Sequence, residues 1–365
     1  MKIKRKSCLF ALIFIIAISM YAVNNQETKE KVQTEKKPTS LNADTSKAFL
    51  LENAKVIDKK SVQYKLETSN IQLLNNPLMQ PNSIKLKDYT IKRVYNPTVT
   101  MFKDKMYMIY RAEGKNTGTG ILCLATSNDG KTFTQFKSNP VLIPGESFDK
   151  LGCEDPRVVK FGDTYYLFYV GNNKIGPAHI CLATSKDLIN WKKHGLIMQP
   201  KYKWELNQIK AASPVPAKIN NKYYMYYLGQ DKPWHTSIGL AVSDDLLQWK
   251  QVGDKPVLTS RKSHFDSYGV EPGVCVIVPE GLLLIYNGWD KEGHINKTSR
   301  CLFDKNDPSK LLYRADAPII SIKDKHVFTT GLYNFKDIWF IYWGAVDTDI
   351  DGGEINISAM LKQAK

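Results

Sequence analysis

Short apolar runs alternate with polar residues along most of this chain, and each pair of runs is separated by a turn signal. Thr98 to Phe102 is followed by Lys103-Asp104-Lys105 and then by Met106 to Tyr110. Arg157 to Phe161, Gly162-Asp163 and Thr164 to Val170 repeat the arrangement, as do Val215 to Ile219, Asn220-Asn221 and Lys222 to Leu228. A fourth copy turns at Pro279-Glu280-Gly281 into Leu282 to Tyr286, and a fifth ends in Trp339-Phe340-Ile341-Tyr342-Trp343. Alternation over four to eight residues, rich in β-branched and aromatic types, predicts strands, and Gly-Asp or Asn-Asn between them predicts hairpins.

A short polar or small residue precedes each first strand: Asn96-Pro97, Asp155-Pro156, Ser213-Pro214, Glu271-Pro272 and Thr329-Thr330. From Pro97 through Pro156, Pro214 and Pro272 to Thr330, the steps are 59, 58, 58 and 58 residues. A fixed period of this size marks repeated units that bury their faces only against one another. A third strand follows in three copies, at Ile121 to Ser127, Ile180 to Ser185 and Ile238 to Ser243. After a further turn comes an aromatic on a fourth strand: Phe133, Trp191 and Trp249. Four strands in each of five units predict an all-β, five-bladed β-propeller. A β-sandwich has no reason to repeat at constant length.

The chain has 365 residues, 43% hydrophobic, and a net charge of +15. Lys2, Lys4, Arg5 and Lys6 precede an uncharged run from Leu9 to Ala22, so residues 1–22 are expected to be a signal peptide or an uncleaved signal anchor. Export is expected to the periplasm or the exterior, with contact to a membrane only through that segment. Residues 23–84 are expected to be a polar linker and lead-in, and residues 85–365 the propeller. Residues 1–65 hold 13 Lys/Arg and 6 Asp/Glu, so much of the basic balance belongs to leader and linker. No basic stripe with interleaved aromatics remains to bind nucleic acid. Cys123, Cys153, Cys181, Cys275 and Cys301 form no Cys-x-x-Cys pair, and His235 and His264 have no metal spacing, so neither metal nor cofactor is expected.

In a ring of units the anchors converge on one axis. Gly152-Cys153-Glu154-Asp155-Pro156-Arg157 is the densest polar signal, and Gly269-Val270-Glu271-Pro272-Gly273 reads as its mate two units on. Asp155 and Glu271 are therefore the candidate catalytic pair. Two carboxylates across one cavity suit glycosidic cleavage, with a separation of about 6.5–9.5 Å for inversion and about 5–5.5 Å for retention. Taken singly, each acid is equally a turn cap or a partner for Arg157. Asn96 occupies the same anchor in the first unit. Arg111 suits sugar hydroxyls or an anion, or else a salt bridge with Glu113. Trp234, His235, Trp289 and Trp343 follow the ends of aromatic strands, where an indole stacks on a sugar or packs between blades.

These residues resemble glycoside hydrolase family 130, the mannoside phosphorylases and β-mannosidases on a five-bladed propeller. The likeness runs from about Tyr95 to Asp347. It includes Tyr110-Arg111-Ala112-Glu113, Ala125 to Gly130, Pro140 to Pro144, Gly152 to Arg157, Gly281 to Gly288, Asp307 to Lys310 and Tyr342 to Asp347. The resemblance implies that Asp155 donates the proton through a sugar hydroxyl, and that Asn96, Arg111 and Asp347 hold the sugar. It also implies that Lys210 binds phosphate in a phosphorylase.

Three departures matter. The phosphorylases' Tyr-His-Gly is Tyr286-Asn287-Gly288; Glu271 replaces a small or apolar residue; and Val327-Phe328 stands for Tyr-Glu near the fifth unit. The first two point to water as nucleophile, with Glu271 as base and Asn287 on the substrate side. The expected function is an exported, inverting hydrolase of β-mannoside-type oligosaccharides. The first alternative is a phosphorylase using phosphate with Lys210, Arg111 and Arg157. The second is a propeller that binds sugar without cleaving it. An arabinan- or xylan-cleaving propeller would need a third acid at an anchor, which Asn96, Ser213 and Thr329 do not supply.

Overall fold

The alternating runs pair with their neighbours in sequence as antiparallel hairpins. The computed structural model describes residues 55–59, 62–66, 70–173, 178–290 and 295–362. The expected signal segment lies outside them. The first sheet comprises Thr90–Phe102, Lys105–Lys115, Ile121–Ser127 and Thr134–Gln135. The second comprises Gly152–Phe161, Thr164–Asn172, His179–Ser185 and Lys192–Leu196. A third set runs Gln208–Pro214, Tyr223–Lys232, His235–Ser243 and Lys250–Gln251. A fourth runs Gly269–Val278, Gly281–Trp289, Lys297–Phe303 and Leu311–Arg314. One parallel bridge, Thr236 with Gly269, joins the third set to the fourth. The fifth sheet is built from Val327–Phe335, Ile338–Ala345 and Asp349–Ile355.

The outer strand of the fifth sheet is Ile71–Leu73, which pairs with Asp349–Ile355. Val62–Leu66 pairs with Ile320–Ile322, which in turn meets the fourth set at Thr298. The expected lead-in thus supplies strands to sheets far along the chain. Three to five residues are too short to announce themselves by alternation, and their partners lie about 250 to 285 residues away, from Leu66 with Ile320 to Ile71 with Ile355.

Each first strand lies against the next one around a circuit, and the fifth lies against the first. Thr330 Oγ1 donates to Pro97 O at 2.8 Å across that last contact. Val158 N donates to Thr98 Oγ1 at 3.0 Å between the first two. Five apolar clusters occupy the five spaces between successive sheets. Fully burying one Phe or Leu side chain contributes about 1.5–3 kcal/mol, so these clusters outweigh any single polar contact. The five cysteines are buried and free, Cys123 and Cys181 inside strands as small apolar residues.

A second repeat was not read from the sequence. Asp149, Glu205 and Asp266 are fully buried three residues ahead of their sheets' first strands. Each accepts from the tyrosine of the neighbouring strand: Tyr169 at 2.9 Å, Tyr227 at 2.5 Å and Tyr286 at 2.8 Å. A buried carboxylate is costly unless paired, and each gains a further donor from an outer strand: Lys193, Gln251 or Arg314. The pattern is visible as Phe148-Asp149, Trp204-Glu205 and Phe265-Asp266. It fixes where the first strand of each of these sheets begins.

Candidate active site

Pairing in the first strand is broken by a bulge at every anchor. Register shifts fall between Tyr95 and Thr98, Glu154 and Arg157, Lys210 and Ser213, Pro272 and Val274, and Thr329 and Gly331. A bulge re-aims side chains at the end of a sheet. Asn96, Asp155 and Ala211 take left-handed backbone there, with φ of 53°, 46° and 52°. Asn and Asp tolerate that region, whereas Ala211 pays about 1–2 kcal/mol for it.

The register corrects two expected alignments. In the third sheet the bulge holds Ala211-Ala212, so Ser213-Pro214 lies two residues beyond the anchor. In the fourth, Glu271 pairs with Asn287 as Glu154 pairs with Val170 and Lys210 with Leu228. Glu271 is therefore the mate of Glu154 and Lys210, one position before the mate of Asp155. Equal spacing misleads because the segments between anchors differ in length. Glu154, Lys210 and Glu271 each lie five residues past the buried acid of their own sheet.

The two candidate acids nevertheless meet. Lys210 Nζ lies 3.7 Å from Asp155 Oδ2 and 4.0 Å from Glu271 Oε2. The two oxygens are thus at most about 8 Å apart, within the span of a carboxylate pair. Arg111 Nη1 lies 3.4 Å from Asp155 Oδ1 and 3.2 Å from Glu154 Oε2. Its Nε donates to Thr119 O at 3.1 Å, and its guanidinium stacks over the Tyr95 ring. Arg111 also reaches Glu113 at 3.5 Å, the salt bridge that was the alternative to its binding role. Glu154 and Tyr95 were not singled out from the sequence. Their signal was adjacency to Asp155 and Asn96, on the residue that precedes each bulge.

Charge divides the pair. Burial raises the Asp155 carboxyl, but Lys210, Arg111 and Arg157 outweigh it and hold the group below the ordinary carboxylate range. Glu271 is raised, chiefly by burial and further by Asp155, with Lys210 only partly compensating. Lys210 is held charged, first by Glu271 and then by Asp155. Proton loss from the two acids is therefore shared, with Asp155 ionising before Glu271. Glu271 Oε1 is buried and has no hydrogen-bond partner among the described residues.

The other expected residues divide. A cavity of about 230 Å³ opens on Lys210 and Glu271, walled by Gln208, Gln230, Trp234 and Trp289. Trp234 is 55% exposed at its edge, and Trp289 Nε1 donates to its main-chain oxygen at 2.9 Å. His235 is paired with Asp231 at 2.6 Å and does not line the cavity. Asn96 is buried in the first bulge. Asp347 is exposed, 3.8 Å from His326 Nε2, and makes no ion pair with the Asp155 group. Asn287 is wholly buried and its amide is spent on structure. Its Nδ2 donates to Thr329 O at 3.0 Å, while its Oδ1 accepts from Thr329 N at 2.9 Å and Thr298 Oγ1 at 3.1 Å. The expected substrate role of Asn287 is thereby replaced by a clamp between the fourth and fifth sheets. Arg157 is also spent, on main-chain oxygens of Pro156, Pro272 and Gly273. A larger hollow, about 430 Å³, includes Arg157 in its wall but neither acid. Among the described residues no group of side chains is arranged to hold a metal ion.

Comparison with known proteins gives consistent matches. A family model described as beta-1,4-mannooligosaccharide phosphorylase matches residues 68–365. A 1,2-beta-oligomannan phosphorylase of Thermoanaerobacter sp. (strain X514) is 31% identical over 297 residues, 76% of this chain and 94% of that one. The solved structure of beta-1,2-mannobiose phosphorylase from Listeria innocua, in complex with beta-1,2-mannobiose, superposes with a TM-score of 0.71 at 25% identity. It covers 81% of this chain and 99% of its own. Another structure was described with the finding that the GH130 family of mannoside phosphorylases contains glycoside hydrolases that target beta-1,2 mannosidic linkages in Candida mannan. It gives a TM-score of 0.69 at 26% identity, covering 84% of this chain and 97% of its own.

Proposed function

The chain belongs to glycoside hydrolase family 130, a family of glycoside-processing enzymes, and from that premise we propose that it cleaves β-mannosidic bonds at the Asp155–Glu271 hollow. The observation that carries this reading is the Lys210 ammonium, within 4.0 Å of both carboxylates. It makes one site of two acids that lie 116 residues apart. The mannose unit sits over Asp155, Arg111 and Asn96, and the sugar beyond it reaches the cavity edged by Trp234.

We favour orthophosphate as the nucleophile. The named relatives at about 30% identity are phosphorylases of β-1,2-mannosides. In the site, Lys210 and Arg111 bring positive charge to the face where an anion would attack. Burial and the Asp155 charge raise Glu271, so its negative charge repels an incoming phosphate less than that of an ordinary carboxylate. One displacement at the anomeric carbon breaks the bond to the departing sugar and forms a bond to phosphate with inversion. Asp155 is ionised in the free site, where Lys210, Arg111 and Arg157 hold it low. An anion bound to Lys210 and Arg111 offsets that pull, and Asp155 then takes up the proton that it passes to the departing oxygen, through a sugar hydroxyl as the family resemblance implies.

Hydrolysis is the second reading, and two observations favour it. Asn287 stands where the phosphorylases carry a histidine; it is neutral, wholly buried and hydrogen-bonded to Thr329 rather than turned to an anion. Glu271 Oε1, without a hydrogen-bond partner among the described residues, can take a proton from an attacking water; a raised pKa makes it a stronger base than an ordinary carboxylate. Incubating β-1,2- and β-1,4-linked mannooligosaccharides with and without phosphate, and separating the products, decides between the two. Mannose 1-phosphate formed only with phosphate upholds the first reading. Free mannose formed at the same rate in both overturns it in favour of the second. No cleavage of any β-mannoside overturns both.

The five sheets and the circuit of their first strands support a closed five-bladed propeller as the scaffold. The basic N-terminus and the apolar run behind it support export, with residues 1–22 as signal peptide or anchor. N-terminal sequencing of the protein recovered from cells tests that proposal: a start at Met1 in a soluble cytoplasmic fraction contradicts it.

A further inference from the structure

Arg157 is almost wholly enclosed, yet it makes no ion pair within 4.0 Å among the described residues. Its guanidinium crosses from the second sheet to the fourth. Nε donates to Gly273 O at 2.7 Å and Nη2 to Pro272 O at 3.4 Å, while Nη1 returns to Pro156 O at 3.0 Å. Gly273 is the residue at the fourth sheet's bulge, two positions past Glu271. Arg157 itself closes the second sheet's bulge, two positions past Asp155. A single side chain thus ties the backbone that carries one acid to the backbone that carries the other.

We propose that Arg157 is a positioning residue that sets the separation of Asp155 and Glu271 by clasping the bulge of the opposite sheet. The inference rests on the function proposed above for that acid pair. An arginine suits the task because its planar fork offers several donors in fixed directions. The main-chain carbonyl oxygens of Pro156, Pro272 and Gly273, at the two bulges, accept them. Lysine has one ammonium and no fork, so it can hold one of the carbonyls but not all three. The charge also reaches both acids, lowering each of them. The local backbone is close-packed: a Cβ added at Gly273 would meet Thr329 O at 2.4 Å, so a side chain there would displace the bulge that Arg157 holds.

The test compares wild type with Arg157→Gln, Arg157→Ala and Arg157→Lys. For a folded Gln variant, kcat on the best mannoside is expected to fall about 100-fold, the effect of a 1 Å misplacement, with KM within about threefold of wild type. Lys is expected to fall between the two, and added guanidinium to restore part of the Ala variant's kcat. A Gln variant with unchanged kcat, or with kcat and KM impaired together and no rescue by guanidinium, overturns the proposal. Should Gln and Ala not fold, Lys decides alone, since unchanged kcat with three carbonyls poorly held contradicts a clasp. A crystal structure of the Lys or Gln variant reads the separation without reference to activity. An Asp155–Glu271 distance altered by about 1 Å supports the clasp, and an unaltered distance overturns it. That readout stands even if the wild type cleaves no mannoside, a result that would overturn only the proposed function.

Discussion

Glu271 and Asn287 face each other across the fourth sheet and do opposite work. Glu271 keeps a buried carboxylate oxygen with no hydrogen-bond partner among the described residues, and Asn287 ties Thr298 of its own sheet to Thr329 of the fifth. Two of the three departures from the phosphorylase pattern are thus register partners, one at the acid pair and the other holding two sheets together.

Asn287→Ala is expected to destabilise the protein by about 2–4 kcal/mol. It removes three hydrogen bonds worth about 1 kcal/mol each and leaves the buried Thr329 amide unsatisfied. A lower urea midpoint, with kcat per folded molecule unchanged, is the expected result. A stable variant with impaired catalysis would return Asn287 to the substrate.

Glu271→Ala separates the nucleophiles. If phosphate attacks, activity is expected to fall by less than about tenfold and to remain phosphate-dependent. If water attacks, the loss of the base is expected to cost about 10²–10⁴-fold, and azide should restore turnover as a glycosyl azide. Steady-state rates with and without azide read the difference.

The raised Glu271 also makes a stability prediction. An acid whose folded pKa lies above its unfolded value stabilises the fold at low pH and loses that contribution as pH rises through the folded pKa. Asp155, held low, has the opposite sign: its contribution is present at neutral pH and lost as pH falls through its folded pKa. Glu271→Gln is therefore expected to raise Tm at pH 8 by about 2–4 °C, roughly 1 kcal/mol, and to leave it unchanged at pH 4. Thermal melts at the two pH values check the sign.

Trp234→Ala removes an exposed indole from the edge of the cavity. KM for oligosaccharides is expected to rise about five- to tenfold, with kcat unchanged and little loss in Tm, since about 1 kcal/mol of stacking is lost from a side chain that is 55% exposed. An unchanged KM would assign this edge to something other than substrate.

Much of the scaffold is legible in the sequence. Alternating runs and turn dipeptides mark the strands, because side-chain direction in a strand follows the local pattern. Register is not local. Aligning units by Pro156, Pro214 and Pro272 misplaced the third anchor by two residues and the fourth by one. Aligning them by Asp149, Glu205 and Asp266 recovers both, since a buried acid paired with a tyrosine cannot slide. The Asp155–Glu271 meeting was foreseeable from the repeat. The roles of Asn287 and Arg157 were not, because each side chain binds main-chain atoms on a sheet far along the sequence, and main-chain atoms leave no trace in residue identity. The short strands between Lys55 and Leu73 escaped for the same reason.

The claim beneath all of this is that Asp155 is the proton source for cleaving a β-mannoside. Asp155→Asn keeps the size and the left-handed backbone of the site while removing the titrating group. Turnover of β-1,2-mannobiose by this variant, measured beside wild type under the better nucleophile and with circular dichroism as a check of folding, is the most direct test. The account predicts a loss of at least about 10³-fold in kcat with an unchanged spectrum. A folded variant that retains wild-type turnover would contradict it.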